Sequence, residues 1–210
     1  MFRTAATIAA TSLAAYLAPA AHAALAADTT QVYRTAQGAQ VDLIVLAPAG
    51  DGNAVIRITG TSTPIDGLAL PYKRSNSGSV DVFTTTWHGR RLSLVQVSRR
   101  GRERWELYVP GDLNHSRPLT LDEARTRALQ PGELLALYDK QLKDGTHQKV
   151  AAFNRSEEQA RHDKELLDSA AQADKACGGH TTARIAWSTI SDDVLKQYSM
   201  GSYCSQPLAT

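Results

Sequence analysis

Residues 81–109 read DVFTTTWHGRRLSLVQVSRRGRERWELYV, and this stretch decides the fold. Phe83, Thr85 and Trp87 alternate with polar neighbours, so they share one face of an extended strand. His88-Gly89 turns the chain, Arg91 to Ser98 runs back, and Arg100-Gly101 turns it again into Glu103 to Val109. Two hairpins in succession make a meander, and the same rhythm extends upstream. Val41, Leu43 and Val45 fall on one face. Ala54, Ile56 and Ile58 do so on the next strand, with Arg57 and Thr59 pointing the other way and Pro48 through Asn53 as the turn between. Short β-branched or aromatic runs at this spacing from Gln31 to Val109 predict six or seven antiparallel strands. A sandwich or partly open barrel buries one face of each strand and leaves few open edges.

After Pro110-Gly111 the period changes to that of helices. Thr120-Leu121-Asp122-Glu123 reads as a capping box opening a short helix to about Leu129. Pro131 suits a helical first turn, and Leu134, Leu135, Tyr138 and Leu142 recur at helical spacing until Gly145. Ser156 to Gln159 is a second capping box. It opens a longer helix with Leu166, Ala170, Ala173 and Cys177 on one stripe, closed by Gly178-Gly179. In the tail, Ala183, Ile185 and Trp187 alternate like a strand, and Ser191 caps a short helix carrying Val194, Leu195 and Tyr198. The fold class expected is therefore α+β: an antiparallel β domain over 24–118, then a helical region over 119–210 that ends in a small strand-helix unit.

The N-terminus has the form of a cleaved signal peptide. Arg3 gives the positive start, Ala5 to Leu17 is uncharged, and Pro19 precedes the small-residue triplet Ala21-His22-Ala23. Cleavage is placed after Ala23, and Ala24-Leu25-Ala26 offers a second site. No later apolar run is long enough to span a bilayer, so the mature chain is expected to be exported to the periplasm of a Gram-negative bacterium, or secreted, and not membrane-spanning. In that compartment the only two cysteines, Cys177 and Cys204, read as a disulfide. Two buried free thiols are the alternative. Closing the loop would contribute roughly 3.5 kcal/mol by the chain-entropy relation.

Without Arg3 the 23 Lys and Arg of the full chain fall to 22, against 21 Asp and Glu. Such balance gives no whole-molecule argument for nucleic acid or acidic lipid. The charge is local. Arg90, Arg91, Arg99, Arg100, Arg102 and Arg104 stand against the single acid Glu103 within fifteen residues, flanked by Trp87 and Trp105. One reading is solvated turns whose arginines keep edge strands apart. The other is a docking surface for an acidic protein partner or an anionic envelope polymer. Cys177-Gly178-Gly179-His180 has a spacing that could hold metal, but pairing with Cys204 is the stronger expectation, and no cofactor is expected. His88, His115, His147 and His162 lie in turns and on polar helix faces and are read as solvent-exposed. The loop Thr61 to Gly67 reads as an ordinary connection. Nucleophile-elbow, zinc-helix and phosphate-loop motifs are absent.

Two stretches carry a resemblance: Ala54 to Gly60 with Pro64 to Gly67, and the tail from Cys177-Gly178 through Ile185-Ala186-Trp187 to Tyr198-Ser199 and Cys204, with Leu129 to Tyr138 between them. On these residues the chain resembles a group of proteobacterial exported proteins. The resemblance implies the compartment and carries no site residue with it. The function expected is non-enzymatic binding, as an inhibitor or immunity protein against a secreted toxin or cell-wall hydrolase. An envelope factor binding peptidoglycan or lipopolysaccharide, or a hydrolase with a dispersed site, are the alternatives.

Overall fold

The computed structural model describes residues 25–197. The segment read as a signal peptide, Tyr198 and Cys204 lie outside the described residues. Eight strands form a closed antiparallel meander barrel, each pairing with the next and β8 with β1. They are β1 (Ala27–Arg34), β2 (Gln40–Leu46), β3 (Asn53–Thr59), β4 (Ala69–Ser77), β5 (Val80–Trp87), β6 (Arg90–Ser98), β7 (Arg104–Val109) and β8 (Asp112–Leu121). This overturns the expected sandwich or partly open barrel of six to seven strands. The reason lies in β8, where Leu119 is the one buried residue and Pro118 interrupts the pattern. Its sequence lacks a hydrophobic alternation, yet it pairs Trp105 with Leu119 on β7, and Tyr33 with Leu121 and Arg34 with Thr120 on β1. Those last two pairs close the ring.

Inside, the alternation holds as expected. Val41, Leu43, Val45, Ala54, Ile56, Ile58, Phe83 and Leu107 belong to one buried cluster that fills the barrel, as side chains do in an eight-stranded ring. His88 and Gly89 both take positive φ, 47° and 74°, the two-residue turn that matches strand twist. On β6, Phe83 pairs with Val95 and Thr84 with Ser93, which leaves Leu94 as a bulge.

Among the described residues five α-helices follow: α1 (Glu123–Ala128), α2 (Pro131–Lys143), α3 (Thr146–Ala151), α4 (Arg155–Cys177) and α5 (Asp192–Gln197). Helix α2 lies on the outer barrel wall, where Leu134 is buried with Ile44, Val55 and Ala69. This explains why β2 is buried on both faces. Pro131 starts α2 as expected, but Gln141 and not Leu142 turns toward the barrel; Leu142 is exposed. Both expected capping boxes are displaced. Asp122, not Thr120, caps α1 by accepting from the Arg125 N–H, since Thr120 is still in β8. Asn154, not Ser156, caps α4 through the N–H groups of Ser156 and Glu157. In each case an Asx side chain two positions from the expected cap, Asp122 downstream and Asn154 upstream, accepts from the free amides instead. The expected strand through Ala183, Ile185 and Trp187 is absent; no partner strand meets it among the described residues, and Trp187–Thr189 forms a 3-10 turn instead. Ser191 does cap α5, accepting from the Val194 N–H.

Among the described residues, no helix is long and apolar enough to cross a membrane.

Candidate functional site

Strand β6 separates the arginines into two groups. Its nine residues span about 26 Å, with Arg90 and Arg91 at one end and Arg99 just beyond the other. The two groups meet very different surroundings.

At the first end, helices cover the β5–β6 turn. The N–H groups of His88 and Gly89 donate to the carbonyls of Val150 and Ala151 at the end of α3. A Cβ on Gly89 would lie 2.8 Å from the Cβ of Phe153, so this glycine is required by close approach as well as by its φ. Trp87 is half-buried against the barrel core and stacks on His88 at 4.6 Å. Arg90 donates to Glu158 at 2.9 Å and to the carbonyl of Leu195. Glu158 is itself buried and also accepts from Arg161 at 2.5 Å. His162 is fully buried beside them, with Nδ1 3.2 Å from Glu165. Burial, aided by the Arg161 charge, holds the His162 imidazole below its ordinary proton affinity, against the pull of Glu165 and Glu158. The tail closes over this cluster. Arg155 pairs with Asp192 and donates to the carbonyls of Trp187 and Ile190, while the Trp187 indole donates to Asp163.

His162 and His147 are thus buried, which corrects their expected exposure. His147 donates from Nε2 to the carbonyl of Ala69 at 2.9 Å and packs on Tyr138. The sequence held a signal for His162. Glu158, His162, Leu166 and Ala170 recur every four residues, and these are the four buried positions of α4. Farther along the same stripe Cys177 is exposed, and its expected partner Cys204 lies outside the described residues.

The second end is open. Asp81 shares the inward face with Phe83 and is buried, accepting from Arg74 and from Asn76 at 2.6 Å and ion-paired with Arg99 at 2.6 Å. Burial pushes its carboxyl upward, but the hydrogen bonds from Asn76 and Arg74 and the charges of Arg74 and Arg99 outweigh it and hold it below the usual carboxylate range. Arg99 N–H also donates to the carbonyl of Ser79, and Arg100 Nε donates to Ser79 Oγ at 2.9 Å. On the far side of the loop Trp105 stacks on Tyr33 at 4.3 Å, and its indole donates to Glu103 at 2.7 Å. The loop from Arg99 to Arg104 is therefore pinned at both shoulders. Between them Arg102 and Arg104 are exposed and make no ion pair among the described residues. Exposed guanidinium forks on a pinned loop suit bidentate capture of carboxylate, sulfate or phosphate groups.

Two further features bear on the site. In the β3–β4 loop the Asp66 carboxylate accepts from the N–H groups of Gly60, Thr61 and Ser62, and Ile65 is buried in the barrel core. The loop is an ordered cover for the barrel mouth. Among the described residues, no three His, Cys, Asp or Glu side chains are grouped to hold a metal ion.

No family model, no curated protein and no solved structure matches the chain. The molecule is defined by its architecture: a closed, side-chain-filled barrel with one end covered by helices and one end presenting arginine.

Proposed function

We propose that the protein is a non-enzymatic binding protein of the cell envelope, an inhibitor or immunity protein that presents the Arg99–Arg104 loop to the acidic cleft of a secreted toxin or wall hydrolase. The observation that carries this reading is the exposure of Arg102 and Arg104 on a loop anchored by Arg99, Arg100 and Trp105. A loop already held in shape loses little conformational freedom on docking. The filled interior supports the same reading, because it makes the barrel a rigid mount and leaves its centre no room for a carried ligand. Arg90 and Trp87 belong to the helix-covered end and take no part in this surface.

The test is affinity capture of the tagged mature protein from periplasmic extract and secretome, followed by assay of what is retained. Stoichiometric recovery of one hydrolase or toxin, inhibited by the protein and no longer inhibited by the Arg102→Glu, Arg104→Glu variant, is the expected outcome. These two positions are preferred to Arg99, whose replacement would leave Asp81 short of an ion-pair partner. If the protein is instead retained on purified wall sacculi and released by salt, the envelope-polymer reading replaces inhibition.

A further inference from the structure

Strands β4 and β5 pair only from Lys73 opposite Thr84 to Ser77 opposite Val80. Below that point the wall of the barrel parts. The cause is readable in β4. Ala69 turns its N–H and C=O away from β3, where Gln141 and His147 bond them. Pro71, two residues on, faces the same way and has no N–H to offer β5. Helix α3 fills the lower part of the breach. The upper part is an open cleft of about 480 Å³ between β4, β5, β6 and α3, within the size range of small-molecule sites.

The chemistry of its walls is uneven. Lys73 and Arg91 supply two cations, and no Asp or Glu lines it. Arg91 is exposed and without an ion pair among the described residues. Lys73 donates to the Asp51 carbonyl and to Asn53 Oδ1 at 3.1 Å, which leaves one ammonium hydrogen over. Thr84, Thr86 and Gln148 add neutral polar groups, and Pro71, Tyr72 and Val150 add apolar surface. His147 in the same wall has a buried Nδ1 with no hydrogen-bond partner among the described residues. Nε2 is committed as donor to the Ala69 carbonyl, and Nδ1 has no exposed surface for a ligand to reach, so His147 shapes the wall and is not a contact group.

We propose that this cleft binds a small hydroxylated anion of the sugar-acid class. The carboxylate pairs with Arg91 and Lys73, the ring hydroxyls meet the threonines and Gln148, and the C–H face packs on Pro71 and Tyr72. The site is separate from the Arg99–Arg104 loop and stands whether or not that loop docks a protein.

Amide chemical shifts of the labelled mature protein, titrated separately with glucuronate, glucose and inorganic phosphate, test it. Glucuronate is expected to saturate at millimolar concentration, moving Thr84 to Thr86, Arg91 and Gln148 to Ala151. Glucose and phosphate, each lacking half the chemistry, are expected to bind about tenfold more weakly, and Arg91→Gln to cost glucuronate about tenfold. Arg91 has no partner to lose, so its variant keeps the fold. Arg102→Glu with Arg104→Glu should leave glucuronate binding unchanged. Absence of saturable shifts with glucuronate, shifts confined to the Arg99–Arg104 loop, or phosphate binding as well as glucuronate would each overturn the proposal.

Discussion

The two turns that flank β6 use the same residue type to opposite ends. At the β5–β6 turn an arginine is enclosed by three elements that arrive later in the chain, and its charge is answered by a buried glutamate. At the β6–β7 loop, arginines of the same local sequence have two pinned members and two left in solvent. Burial, not residue type, separates a structural guanidinium from one available to a partner. A buried ion pair broken on one side leaves an uncompensated charge, whereas an exposed charge is readily rehydrated.

The sharpest way to break that contrast is Glu158→Ala. It removes the carboxylate that neutralises Arg90 beneath α4, and the expected loss is about 3 kcal/mol in a denaturant titration. A loss no larger than that of an exposed arginine would remove the distinction between the two ends. Gly89→Ala is expected to follow at about 2 kcal/mol, from the contact with Phe153 and the positive φ together. Its effect should appear as faster amide exchange in α3 and the start of α4, with the Arg99–Arg104 loop unmoved.

Acid sharpens the comparison further. His162 takes up a proton less readily in the folded chain than its ordinary value of about 6.5. The unfolded chain therefore protonates first as pH falls. The stability this group contributes is complete above about pH 6.5 and declines as pH drops below it. Arg161, Glu158 and Glu165 of α4 face the ring, with the Trp187 indole packed near it. Comparing melting temperatures at neutral and mildly acidic pH, His162→Gln should reduce the acid loss; an unchanged pH slope would mean that other groups carry it. The smallest effect on folding belongs to Arg102→Ala with Arg104→Ala, within about 0.5 kcal/mol, although the same pair should lose any inhibition.

Much of the meander was legible because its signals are local. His88-Gly89 is a turn by its own chemistry, and Val41 to Val45 or Ala54 to Ile58 show their inward face by alternation. What escaped depends on distant residues. Strand β8 carries little hydrophobic pattern because its outer face is solvated, and it is recognisable only through its ladders with β7 and β1. The arginine cluster was visible, but its division was not: the partner that buries Arg90 lies 68 positions away. Histidine likewise gave no sign of burial in isolation, although its place every fourth residue with Leu166 and Ala170 did. The tail resembled a strand in period, yet among the described residues it has no neighbouring strand whose ladder it could join.

The ring closes on only two residue pairs, between the latter part of β1 and the end of β8. Just beyond them, α1 completes the bonding of Val32, whose N–H donates to Thr126 Oγ1 at 2.9 Å and whose carbonyl accepts from Asp122. Seven of the eight seams join neighbours in sequence and form from nearby chain, whereas this one joins first strand to last and carries the largest loop-closure cost. It is the expected last event in folding. Until α1 docks, two strand edges stand open, and edges of that kind pair with other molecules. The short helix after β8 is thus a guard against aggregation while the chain is being made.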